Sequence, residues 1–393
     1  MNVYERMEAE NAYENIERFK LNQKKSYGAK LDHAAFLIGD YLRNTDNCHI
    51  SVGGLDSITL YMFINFSDHW YMKDIRKMYP ERFPIHGISC SFLEDPSITR
   101  VHRALGIELL KPACDKDGKP YNKVRIIQDF GFPVLSKEIA AKIETLQNPT
   151  EKNKTVRHAI ITGETGEYGG YRKSSRMQLA KKWLELFGGY ANEDESTNYG
   201  TPDFKVSSKC CYYLKEKPCD DWAKEHNSYP ILGLMASEGG RRAKALMLHG
   251  CNYYGTSTIR SCPFAIFNRQ DLLHLASEMD ELYRSKIKEQ LYQEGIEKGR
   301  IKSSFKMPDS IVPDIYGEIV LNLIGDLYTT KAQRTGCSMC GFGIHLEQRP
   351  HRFDLLRERS PKEWDYWMYH CCKDDHGNDF GWAKVLDYIG VEY

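Results

Sequence analysis

Ile50-Ser51-Val52-Gly53-Gly54-Leu55-Asp56-Ser57 joins an extended run, His49 to Ser51, to the apolar-periodic SITLYMFINF that begins at Ser57. The order reads as strand, glycine turn and helix. In that setting backbone N–H groups and the helix dipole converge on an anion, and two glycines let the chain approach a phosphate closely. Asp56 can orient the loop or a metal-bound phosphate, and Ser57 can donate to an oxygen. An ordinary glycine-rich βα turn has the same spacing, so the motif alone leaves both readings open. The form G-x-x-x-x-G-K-[ST] is absent here, and P-loop triphosphatase chemistry is not implied.

Working outward, a second strand–loop–helix unit follows, with IHGISC as strand, SFLEDPS as loop and ITRVHRALGI as helix, and ELLKPA then reads as a further strand. Residues 124 to 145 give two helices around the turn Gly131-Phe132-Pro133, the second capped by Ser136. PILGLMAS reads as a buried strand and EGGRRAKALMLHG as a loop entering a helix. This alternation predicts an α/β fold with a parallel sheet. Residues 1–46 read as a leading helical segment, 47–250 as the α/β domain, and 251–393 as a mostly helical C-terminal region. Within the middle domain, 147–205 is polar and glycine-rich around one amphipathic helix, MQLAKKWLELF, and reads as a mobile or substrate-facing insertion.

The 393 residues carry 54 Lys plus Arg against 54 Asp plus Glu. No global field therefore draws the chain to nucleic acid or to a membrane, and any such contact must be a local patch. The first twenty residues are charged throughout, and there is no run of 18 apolar residues, so a cytoplasmic protein without a membrane partner is expected. The 25 tyrosines suit stacking surfaces or a polar-rimmed core equally.

Twelve cysteines in a long chain without an export signal read as thiols or metal ligands rather than a disulfide framework. Cys210-Cys211 and the pair Cys337, Cys340 in C-x-x-C spacing form a four-thiolate set suited to iron–sulfur or zinc. Adjacent ligands are awkward for a zinc ribbon, which places iron–sulfur ahead of structural zinc. Cys48, Cys90, Cys114, Cys219, Cys251 and Cys262 stand singly and read as packing residues. Cys371-Cys372 reads as helix packing, an adjacent disulfide or a redox pair.

Together these pieces resemble the phosphoadenosine phosphosulfate (PAPS) reductase family of the PP-loop, or adenine nucleotide alpha-hydrolase-like, superfamily. The likeness runs from about residue 45 to the C-terminus. It includes the glycine loop, Leu93-Glu94, Gly131-Phe132-Pro133 with Ser136-Lys137, and Cys210-Cys211. It continues through Gly233, Glu238 and Arg242, then Pro263 to Asp271, the Gly336 to Cys340 motif, and Arg352-Phe353. The resemblance implies a PP-loop α/β core. It implies nucleotide binding by Ser51, Gly53, Gly54, Asp56, Ser57, Glu94, Gly233 and Glu238, catalysis by Asp56, Ser57 and Arg242, and ligation of a [4Fe–4S] cluster by Cys210, Cys211, Cys337 and Cys340. Three departures bear on chemistry. Val52 stands for the first Ser of Ser-Gly-Gly-x-Asp-Ser, Met235 and Gly239 stand for the Arg and Ser of Gly-x-Arg-x-x-Glu-Ser-x-x-Arg, and the tail LDYIGVEY lacks the reductases' Glu-Cys-Gly nucleophile.

The intact Gly53-Gly54 with Asp56-Ser57 favours an enzyme that cleaves ATP between the α- and β-phosphates with Mg²⁺, and transfers sulfur with help from the cluster. The sulfur acceptor would be DNA, tRNA or a small molecule, with a thiol or electron-donor protein as partner. The alternatives are an adenylyl sulfate or PAPS reductase acting through Cys371 or Cys372, and a nucleotide- or nucleic-acid-binding module with structural zinc, using Arg241-Arg242 and Arg349 to Arg352.

Overall fold

The computed structural model describes residues 3–91, 93–164, 177–191, 199–256 and 258–393. The chain divides into two compact units, Met1–Lys111 with Pro218–Cys337, and Pro112–Lys217 with Ser338–Tyr393.

The first unit is built on a six-stranded, mostly parallel sheet. In chain order its strands are β1 Cys48–Ser51, β2 Gly87–Ser89, β3 Glu108–Leu109, β4 Tyr229–Leu232, β5 Asn252–Tyr254 and β6 Ile259–Ser261. The spatial order is β3-β2-β1-β4-β6-β5, and only β5 runs antiparallel to its neighbour. Strand β1 is flanked by β2, in register Ile50 to Gly87, and by β4, in register Ile50 to Ile231. The chain leaves β1 for β2 on one side and returns far later as β4 on the other, which makes the gap beyond their carboxyl ends a topological switch point.

The helix Leu55–Phe66 follows the glycine turn directly and is buried nearly all round, with Leu55, Ile58, Leu60, Met62 and Ile64 at 0% exposure. A helix apolar on every face belongs in a core, and this one holds the loop before it rigid. The leading segment forms two helices, Val3–Gln23 and Tyr27–Asn44, the second capped by Ser26. Buried Lys30 is paired with Asp271 at 2.6 Å, the pairing that a charge at this depth needs.

The second unit has its own core, in which Phe132, Phe187, Phe353 and Trp382 are almost fully buried. Its short strands Val134–Leu135 and Gly341–Phe342 pair in parallel. The helix Lys137–Gln147 starts at Ser136, whose hydroxyl accepts from Ile139 N at 3.1 Å, as the sequence predicts.

Two sequence expectations change. The linear cuts at 46 and 250 do not match the contact division, because the sheet recruits β4, β5 and β6 from beyond residue 218, whereas residues 338–393 complete a separate core with residues 112–217. The insertion at 147–205 is in part core rather than loop, since Ile160, Trp183, Leu184, Phe187 and Phe204 are buried in the second unit. The glycine-rich residues 165–176 and the acidic 192–198 lie outside the described residues. No helix among the described residues is long and apolar enough to cross a membrane.

Candidate functional site

A cleft of about 580 Å³ opens in the first unit beyond the carboxyl ends of β1 and β4, within the size range of small-molecule sites. The sequence-predicted Ser51, Gly53, Gly54, Asp56, Ser57, Glu94, Gly233, Glu238 and Arg242 all line it. They come from three separate parts of the chain and are gathered by the sheet topology.

The loop is fixed by its own side chains. Gly53 N donates to Ser57 Oγ at 2.7 Å, and that hydroxyl donates to Gly54 O at 3.1 Å. Leu55 N donates to Tyr316 Oη at 3.1 Å, and Tyr316 Oη lies 2.8 Å from Thr335 Oγ1. Ser57 thus serves the loop backbone in this structure. Two glycines are required by close approach. A Cβ at Gly54 would lie 2.5 Å from Tyr316 Oη, and one at Gly233 would lie 2.9 Å from Ser57 Cα. Gly54 is the N-cap and supplies no side-chain acceptor, so after Leu55 N the first-turn amides of Asp56 and Ser57 are left, among the described residues, for another partner.

Three arginines and three carboxyls share the cleft: Arg242, Arg269 and Arg334 with Asp56, Glu94 and Glu238. Arg269 Nη1 stands 3.3 Å from Asp56 Oδ1, and its Nη2 donates to Gln333 O at 3.1 Å. Arg242 Nη1 donates to Glu238 Oε2 at 2.5 Å. Burial raises the Asp56 pKa to about 6. Arg269 and Arg334 oppose that rise, and the neighbouring, hydrogen-bonded Glu238 adds to it. Leu232, Leu234 and Met235 give the cleft an apolar side.

The departures at Met235 and Gly239 now have local causes. Met235 is 3% exposed and packs in the core, where an unpaired guanidinium would be costly. Gly239 sits at φ 79°, ψ −166°, a region essentially reserved for glycine. Arg269, Arg334, Tyr316 and Thr335 carry no motif that marks them in the sequence; only the run Pro263 to Asp271 hints at Arg269.

Of the four cysteines, Cys337 ends the first unit, and Cys210, Cys211 and Cys340 belong to the second. Among the described residues no three His, Cys, Asp or Glu side chains stand in a metal-holding group. Two of the four thiols nonetheless have a cation beside them. Burial works against the Lys137 charge, yet contact with Cys211 and Glu216 holds its pKa above the ordinary value. Arg352, lowered by burial, is hydrogen-bonded to the Cys340 side chain and donates to Cys340 O at 3.2 Å. Cys371 and Cys372 are 2% and 3% exposed in the core of the second unit, which is a packing environment. Arg349 and Arg352 are paired with Asp354 and Glu347, so each already faces a carboxylate. Comparison with protein-family models, curated proteins and solved structures found no match.

Proposed function

We propose that this chain is a PP-loop enzyme of the PAPS reductase family that binds ATP, cleaves it between the α- and β-phosphates, and uses the adenylylated acceptor for sulfur transfer. The observation that carries this reading is the fixed Gly53-Gly54 loop at the switch point, facing Arg242, Arg269 and Arg334 across one cleft. The amides of the loop and helix start would hold the pyrophosphate, and the arginines would neutralise the charge that gathers on it as it leaves. The apolar side formed by Leu232, Leu234 and Met235 suits the base. An acceptor oxygen attacks the α-phosphorus, pyrophosphate departs, and sulfur then displaces AMP. Arg242, tied to Glu238, is held where it can contact phosphate without being rebuilt during the reaction.

Asp56 and Glu238 are the carboxyls that would hold Mg²⁺, together with phosphate oxygens and water. Because the metal competes with a proton at Asp56, the Mg²⁺-dependent part of ATP binding should grow as pH rises through about 6. A [4Fe–4S] cluster on Cys210, Cys211, Cys337 and Cys340 would carry or activate sulfur, with the cations of Lys137 and Arg352 beside Cys211 and Cys340.

Pyrophosphate release from ATP tests the reading, with Asp56→Ala expected to abolish it. A wild-type protein that binds PAPS but not ATP, and releases sulfite, would instead establish the reductase alternative. That alternative needs Cys371 or Cys372 to reach substrate from a buried setting.

A further inference from the structure

Gly53 and Gly54 carry four polar backbone atoms, and three of them are already engaged by protein groups. Gly53 N is satisfied by Ser57 Oγ, and Gly54 O by the same hydroxyl. Gly53 O is held by His102 Nε2 at 2.8 Å. Among the described residues Gly54 N has no acceptor. The Gly53–Gly54 peptide is trans, so its carbonyl and N–H point to opposite sides of the chain. Whatever fixes the carbonyl therefore also aims the amide.

His102 belongs to the helix Pro96–Ala104 and is fully buried at 0% exposure. A carbonyl can only accept, so Nε2 must carry the proton, and the ring is neutral because burial pulls its pKa down to about 4. Its Nδ1 has no hydrogen-bond partner among the described residues. A buried histidine that leaves one nitrogen unsatisfied is a costly way to fill space. Glycine on both sides makes this peptide the easiest in the loop to flip, since neither residue has a Cβ to resist rotation.

We propose that His102 is a positioning residue for the phosphate loop. By holding the Gly53 carbonyl inward it turns the Gly54 N–H toward the cleft, as a donor to the pyrophosphate end of the nucleotide. The inference rests on the reading of the cleft as a nucleotide site. Without His102 the peptide samples the flipped state, which presents a carbonyl to the anion and repels it.

The test compares His102→Gln with His102→Asn. The glutamine amide nitrogen reaches the position of Nε2, whereas asparagine reaches only that of Nδ1, and both leave a polar group buried. Calorimetric titration with ATP, inorganic pyrophosphate and adenosine separates the parts of the ligand. His102→Asn should lose about tenfold or more in affinity for ATP and pyrophosphate, as expected for one charge-assisted hydrogen bond. Its affinity for adenosine should stay unchanged, and His102→Gln should remain within about threefold of wild type for all three. Equal ATP affinity in wild type and His102→Asn would overturn the proposal. So would parallel loss of adenosine and pyrophosphate binding, which marks a merely structural role. Failure of the wild-type protein to bind ATP or pyrophosphate would overturn the nucleotide reading, and this inference with it.

Discussion

Two glycine pairs lead from the carboxyl side of a central strand toward a helix, Gly53-Gly54 in the lining of the cleft and Gly239-Gly240 in the chain between the lining residues Glu238 and Arg242. They share a composition and differ in why glycine is there. Neither Gly53 nor Gly54 has a positive φ; what constrains Gly54 is the Tyr316 hydroxyl packed against it. Gly239 and Gly240 have φ of 79° and 65°, and a Cβ on either would meet nothing within 4 Å. The first pair is a matter of space and the second of backbone conformation. A glycine motif read from sequence does not distinguish the two, yet they respond to substitution through different physics.

Gly54→Ala should have the largest effect. Its Cβ overlaps the Tyr316 hydroxyl that holds Leu55 N, so the loop and helix start must shift together. A misplacement near 1 Å costs about a hundredfold where positioning is the mechanism. ATP affinity should fall by that order, and adding Tyr316→Phe, which removes the offending oxygen, should recover part of it. A double variant no better than the single one would show that the hydroxyl is not the obstacle.

The pairs are linked through Asp56, just after the first, and Glu238, just before the second, whose carboxyls are hydrogen-bonded. Asp56 is held protonated more strongly in the fold, at about 6, than its ordinary 3.8. The stability it contributes is therefore complete below 3.8 and is lost as pH rises through 6. Asp56→Asn removes this titration and should gain on wild type between pH 4 and pH 7, by at most about 3 kcal/mol. Urea unfolding at the two pH values checks it; a difference that does not change with pH would refute the assignment.

Gly239→Ala tests the second pair by itself. With no side chain in its way, the cost is the backbone alone, about 1–3 kcal/mol of unfolding free energy. Because Glu238 precedes it, the Mg²⁺ requirement for ATP binding should rise as well. Unfolding in urea together with a Mg²⁺ titration would show both.

The central sheet and the glycine loop were legible because they rest on local pattern: an apolar strand, a glycine turn and a buried helix lie consecutively in 48–66. Ser136 was legible as a cap for the same reason. What escaped was non-local. Tyr316 reaches Leu55 across 261 residues, Arg269 reaches Asp56 across 213, and His102 reaches Gly53 across 49. None carries a spacing that announces the contact. The polarity of 147–205 misled because hydrophobic residues such as Trp183 and Phe187, sparse along the chain, suffice for a core once residues 338–393 supply the other half.

Gly53→Ala should have the smallest effect on the fold and gives the finest discrimination. Its Cβ would stand 3.9 Å from Ser57 Oγ, an ordinary contact, and no positive φ stands in its way. Unfolding free energy should stay within about 0.5 kcal/mol of wild type. Phosphate is the neighbour that the protein alone does not supply. If a pyrophosphate group approaches the loop backbone closely, the added methyl meets it, and ATP affinity should fall while stability and adenosine affinity hold. Equal ATP affinity in Gly53→Ala and wild type would mean that the anion rests on the amides of Gly54, Asp56 and Ser57 without touching Gly53, and would confine the cradle to the helix start.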